Sequence, residues 1–241
     1  MRTVLAWSSS LALVTLVAIF ASTAAPSRAA EDRLPVARAG LRDLFGGDEP
    51  DDYALDARQR YVEPGRLACD QAAMVRYKSR ALRYTVTVHP AFAARLARFD
   101  QVLVDLATAH YGRAPRRLLH RGAFACRTLR TRKHRISEHA LGNALDFQGL
   151  DFGALPRKVA APSALPRHLR AGFQLRVLSH WAPKRERDTH HARFLHQLAD
   201  ALRDRPDIFR GIVGPPQPRH HDHLHFDAAP WRYTWFRYDP S

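Results

Sequence analysis

Four of the 14 histidines in this 241-residue chain fall within six positions, in Arg219-His220-His221-Asp222-His223-Leu224-His225-Phe226-Asp227. Imidazole binds divalent metal through a neutral ring nitrogen and exchanges protons near neutral pH, so this density points to metal or acid–base chemistry. Leu224 and Phe226 alternate with His223, His225 and Asp227, which predicts a strand. In a strand, His223 and His225 project to the same face. Two imidazoles on one face begin a zinc site, where nitrogen binds at about 2.0–2.1 Å. A second segment, Ser137-Glu138-His139-Ala140-Leu141-Gly142-Asn143-Ala144-Leu145-Asp146-Phe147, sets a His and an Asp seven apart with a glycine between them. Either a turn at Gly142 leading into a strand, or an uninterrupted helix, brings His139 and Asp146 to one side. Asp146 lies in an apolar run, where a carboxylate is costly unless it is paired or bound to metal.

Together the two segments offer His139, Asp146 and His225 as three ligands and leave a fourth position for water. That is the layout of a catalytic zinc rather than a closed structural one. The metal would lower the pKa of its water and polarise a scissile carbonyl. His223 is the candidate general base or oxyanion-stabilising group, and it is equally a ligand in place of His225. His220 suits a supporting or proton-transfer role, and Asp222 can orient an imidazole.

Holding these groups takes a packed frame. Phe92, Leu96, Phe99, Leu103 and Leu106 recur at helical spacing and predict an amphipathic helix from about Pro90 to His110. Phe194, Leu198 and Leu202 mark a second, from about Asp188 to Arg203, stopped by Pro206. Tyr84, Val86 and Val88 alternate as a strand does, and Leu175–Trp181 is short and β-prone. Helices and short strands without regular βαβ alternation predict an α+β domain: a small, mainly antiparallel sheet carrying the zinc site, flanked by helices. The folded domain is expected over 61–241, preceded by a flexible connector over 31–60 that is rich in Gly and acidic residues.

Residues 1–30 read as a secretory signal peptide: Arg2, an apolar run over Leu5–Phe20, then small residues to Ala30. An uncleaved membrane anchor is the alternative, and it would be the chain's only membrane contact. Export places the protein in the periplasm or cell envelope and argues against a nucleic-acid partner. Cys69 and Cys126, the only cysteines, are then expected to pair as a disulfide. The formal net charge of +15 suits retention on an anionic wall polymer, and 46% hydrophobic residues exclude a wholly disordered chain. Oligomeric state has no signature in the sequence.

Ser137-x-His139-x-x-Gly142-x-Ala144-x-Asp146 resembles the S-x-H-x-x-G-x-A-x-D signature of the LAS zinc peptidases, the group named for lysostaphin, D-Ala-D-Ala metallopeptidases and sonic hedgehog. His223-x-His225 resembles their C-terminal H-x-H. With Ala125-Cys126-Arg127 and His220-x-x-His223-x-His225-x-Asp227, the set is similar to the bacterial extensin-like C-terminal domain family, an exported branch of that group. The resemblance spans about Val62 to Asp227. It implies a LAS/hedgehog-like fold and a zinc-dependent peptidase cleaving stem or cross-link peptides of peptidoglycan, by endopeptidase or carboxypeptidase action. It also implies His139, Asp146 and His225 as zinc ligands, His223 as the catalytic residue, His220 in support, and Arg127 holding a substrate carboxylate. Carboxypeptidase branches carry a Glu shortly before the last zinc His, where this chain has Asp222 and His223. Extensin-like relatives often carry further cysteines toward the C-terminus, and Phe209–Val213 has none. A non-catalytic, zinc-stabilised domain docking on an anionic wall polymer through its arginines is the competing reading. A two-metal phosphoesterase needs more carboxylate ligands than can be assigned beside these histidines.

Overall fold

The computed structural model describes residues 53–238, which lie in one compact unit, Asp51–Ser241. The expected signal peptide and most of the expected connector lie outside the described residues. Two short strands, β1 (Val75–Lys78) and β2 (Thr85–Val88), pair antiparallel and lead into helix α1 (Pro90–Tyr111). His89 caps that helix, its Nδ1 accepting from the Ala91 amide, and Pro90 fills the first turn, where its missing N–H costs nothing. Gly112 ends it in the left-handed conformation, with its amide bonded to the Thr108 carbonyl. Phe92, Leu96, Phe99 and Leu103 are completely buried on one stripe, as their spacing predicts.

The main sheet is built around one long strand. After β3 (Arg117–Gly122) and a small hairpin of β4 (Thr128–Leu129) and β5 (Arg132–Ile136), the chain makes a 3-10 turn over Glu138–Leu141 and enters β6 (Ala144–Phe152). β7 (Phe173–Arg176) pairs with the second half of β6. Helix α2 (Thr189–Arg203) follows, then β8 (Gly211–Val213), β9 (Leu224–Asp227) and β10 (Tyr233–Trp235). The sheet order is β10-β8-β9-β6-β3, and every pairing is antiparallel except β10 with β8. This is the mixed, mainly antiparallel architecture expected from the sequence.

Strand alternation separates structure from chemistry. Leu145 and Phe147 of β6 and Leu224 and Phe226 of β9 are buried on the face packed against α1, where Phe99 meets Phe147, Phe209 and Phe226 edge-on or tilted at centroid distances of 5.2–6.5 Å. Each such side chain contributes about 1.5–3 kcal/mol by leaving water. Asp146 and His225 alternate with these residues and therefore emerge on the opposite face, directly across from one another in the β6–β9 register.

Two expectations change. Residues 53–60, read as connector, are folded: Leu55 is buried, and Arg60 donates to Glu138 Oε1 at 2.9 Å and to the Leu55 and Arg58 carbonyls at 2.7 Å. Asn143 Nδ2 donates to the other Glu138 oxygen at 2.6 Å, and the Tyr53 hydroxyl donates to Asn143 Oδ1 at 2.7 Å. The buried Glu138 is thus fully paired, and it ties the start of the domain to the turn that carries His139. The second change concerns Leu175–Trp181, of which only Leu175 and Arg176 lie in a strand. Val177–His180 forms a single helical turn, because Trp181 buries its ring beside His196 and Phe236 and donates its Nε1 proton to the Arg237 carbonyl at 2.8 Å. Packing overrides β-propensity there.

Cys69 and Cys126 form the expected disulfide, 57 residues apart. Closing a loop of that length restricts the unfolded chain by about 4 kcal/mol in the chain-entropy account. Reductant is therefore expected to lower the denaturant midpoint substantially; an unchanged midpoint would show that the bridge contributes little.

Candidate metal centre

Ser137 leads into the 3-10 turn in an extended conformation, and Gly142 leaves it at φ +63°. A Cβ at Gly142 would press on the Met74 sulfur and stand 2.6 Å from the His89 amide nitrogen, so both the backbone angle and the space demand glycine. The sharp exit lets the chain start β6 at once, which resolves the choice between helix and turn in favour of the turn. His139 and Asp146 then face each other across the corner.

Three atoms converge there. His139 Nε2 lies 3.1 Å from Asp146 Oδ1 and 3.1 Å from His225 Nδ1, and His225 Nδ1 lies 3.0 Å from Asp146 Oδ1. Ligands about 2.0–2.1 Å from a tetrahedral ion sit about 3.3 Å from one another, close to these separations. The outer contacts of both rings decide what the inner atoms are. His139 Nδ1 lies 2.6 Å from the Ala123 carbonyl and His225 Nε2 lies 2.8 Å from Asp227 Oδ2. Both outer partners only accept, so both outer nitrogens carry protons, and a neutral ring then turns a lone pair inward. Two imidazole nitrogens and a carboxylate oxygen aimed at one point fit a divalent cation of the zinc type.

The outer shell was not legible as such in the sequence. Asp227, fully buried, also accepts from the Ala229 amide at 3.0 Å and from the Tyr233 hydroxyl. Gly211, opposite Asp227 in β8, leaves room for this carboxylate: a Cβ there would overlap it and the Tyr233 ring. The Ala123 carbonyl belongs to the loop fastened by Cys126, and Ala125 in the same loop donates its amide proton to the His139 carbonyl at 3.1 Å. Replacing Asp227 with Asn keeps the shape but gives His225 a weaker acceptor. Zinc affinity, read by competition with a chromogenic chelator, is expected to fall about 10–100-fold.

Without metal the centre is held by a proton. Burial lowers the His225 pKa, but its hydrogen bonds to Asp146 and Asp227 prevail and raise it to about 10. Burial likewise opposes ionisation of Asp146, yet its contacts with His139 and His225 hold it well below the usual carboxylate range. At neutral pH the metal-free cluster is therefore an imidazolium–carboxylate pair, and an incoming cation displaces the His225 proton. Zinc affinity should rise with pH, about tenfold per unit, up to about 10 and level off above it. Titration calorimetry in buffers of different ionisation enthalpy reads this as one proton released per ion near neutral pH.

Residues 52–158 match the family model described as the extensin-like protein C-terminus. The match supports the extensin-like C-terminal family. No curated protein matches the chain, and no solved structure does. The extensin-like segment contains Cys69, Cys126, Arg127, His139 and Asp146, whereas His220, His223 and His225 lie beyond it. The fold unites the two parts, since β9 pairs directly with β6.

His223 stands just ahead of β9, and its Nε2 is 3.6 Å from Asp146 Oδ1, at the rim of the three-atom cluster rather than inside it. Of the two histidines left open as the last ligand, His225 joins His139 and Asp146. His220 lies against both, with ring centroids 5.0 Å from His223 and 6.0 Å from His225. Its Nδ1 lies 3.0 Å from the Pro218 carbonyl, and burial lowers its pKa to about 4, so it is neutral at pH 7. Arg127 is partly buried, within electrostatic reach of Asp146, and its guanidinium takes no hydrogen-bond or ion-pair partner among the described residues.

Proposed function

We propose that this protein is an exported zinc-dependent peptidase of the LAS type that hydrolyses peptide bonds in the stem or cross-link peptides of peptidoglycan, in the periplasm or cell envelope. The observation that carries the reading is the convergence of two imidazole nitrogens and one carboxylate oxygen within 3.1 Å of one another. In it, His139, Asp146 and His225 hold the ion. Zinc in such a three-ligand centre supplies Lewis acidity, bringing the pKa of a coordinated water toward neutrality and polarising a carbonyl.

The remaining work falls to this chain's side chains. His223 accepts the proton of the attacking water at Nε2 and returns it to the departing amine as the C–N bond breaks. His220, neutral and alongside, keeps a second unprotonated imidazole near this path. Arg127 offers an unpaired planar guanidinium, suited to a carboxylate of the substrate. Stem peptides carry such carboxylates, and the net charge of +15 favours approach to an anionic wall.

The test is digestion of purified peptidoglycan followed by mass spectrometry of the products. New amino and carboxyl ends, lost with chelator and restored by zinc, are the expected result. A zinc-loaded protein that leaves every cross-link and stem type intact would instead favour a zinc-stabilised module that binds the wall through its arginines.

A further inference from the structure

His223 is turned toward the centre by a pair of charged groups running back to β3. Arg121 Nη1 lies 3.1 Å from each oxygen of Asp222, and Asp222 Oδ1 lies 2.8 Å from His223 Nδ1. An ionised carboxylate only accepts, so Nδ1 is the donating nitrogen and Nε2 is the one turned to the cluster, 3.6 Å from Asp146 Oδ1. The backbone explains why Arg121 reaches this loop. The β3–β6 pairing slips between Leu119 and His120 and again between His120 and Gly122, immediately beside the Gly122–Asp146 pair. Such irregularities re-aim side chains next to functional sites. Here the result is a contact between residues 101 positions apart.

Stability does not account for the arrangement. Arg121 is 49% exposed, and ion pairs that wet contribute little to folding. Its geometric consequence is larger, because Asp222 would otherwise be free to rotate away from His223. The ring could then settle as the Nε2–H tautomer, which presents no lone pair to a water at the centre.

We propose that Arg121 is a positioning residue which, through Asp222, fixes the rotation and tautomer of His223 so that Nε2 can take a proton. The inference rests on His223 being the proton-transferring group of the proposed reaction. In that reaction the water proton passes to Nε2 and Asp222 faces the resulting imidazolium. The proton then leaves to the amine nitrogen of the broken bond.

The test uses the full chain loaded with zinc and long-range nitrogen–proton NMR of the imidazoles, with His223→Ala assigning the resonances. His223 is expected as the Nδ1–H tautomer in the parent protein, as a mixture in Arg121→Ala, and restored in Arg121→Lys. In parallel, kcat on peptidoglycan should fall about tenfold in Arg121→Ala and more in Asp222→Asn, with KM and zinc content unchanged. An Nε2–H tautomer in the parent, or an Arg121→Ala spectrum identical to it, would overturn the inference. If the protein cleaves no peptidoglycan yet the tautomer responds to Arg121, the positioning role stands and the peptidase reading fails.

Discussion

His223→Ala is expected to keep its zinc and lose its turnover. His223 Nε2 stands 3.6 Å from Asp146 Oδ1, outside the cluster whose atoms lie 3.0–3.1 Å apart, so the ion loses no ligand when the ring is removed. What disappears is the group placed to move a proton, a contribution worth about 10²–10⁴-fold in rate. The protein also loses a buried imidazole paired with Asp222, so folding should be checked by thermal unfolding alongside the kinetics. The signature is a fall in kcat with zinc stoichiometry intact. Loss of zinc in this variant would make His223 a ligand; full activity would remove it from the reaction.

Asp146→Asn should do the reverse, abolishing zinc retention first and activity with it. Asp146 Oδ1 is the only anionic atom of the three, and it lies within 3.1 Å of both rings. An amide in its place weakens the donor set by more than the 10–100-fold that outer-shell changes cost. The same change removes one of the two carboxylates that raise the His225 pKa to about 10, so the metal-free variant should titrate His225 at lower pH than the parent. Dialysis against limiting zinc, followed by metal analysis, measures the first effect, and NMR titration of His225 the second. A variant that keeps parental zinc affinity would exclude Asp146 as a ligand.

Much of the centre was legible in the sequence because it is built from local rules. Alternation within Leu224–Asp227 places His225 and Asp227 on one face, and glycine between His139 and Asp146 marks a corner that no other residue could turn in the same space. The two long apolar stripes predicted α1 and α2 because a helix facing a core repeats every three to four residues. What could not be read depends on contacts between distant segments. Tyr53 and Arg60 sit in a Gly- and acid-rich stretch without periodicity, yet they close the buried network around Glu138 and Asn143. Arg121 is one of many arginines until an irregular β3 brings it to Asp222. Tyr233 and Gly211 acquire meaning only once β8, β9 and β10 lie side by side and enclose Asp227.

The proposed reaction needs a single zinc ion in a defined set of ligands, and X-ray absorption on the zinc-loaded protein measures that set directly. The prediction is one zinc per chain, bound at about 2.0–2.1 Å by two imidazole nitrogens and a carboxylate oxygen, with a further light ligand from solvent. One nitrogen shell should vanish in His225→Ala and none in His223→Ala. A protein that retains no zinc, or whose nitrogen shell is lost with His223 rather than His225, would contradict it.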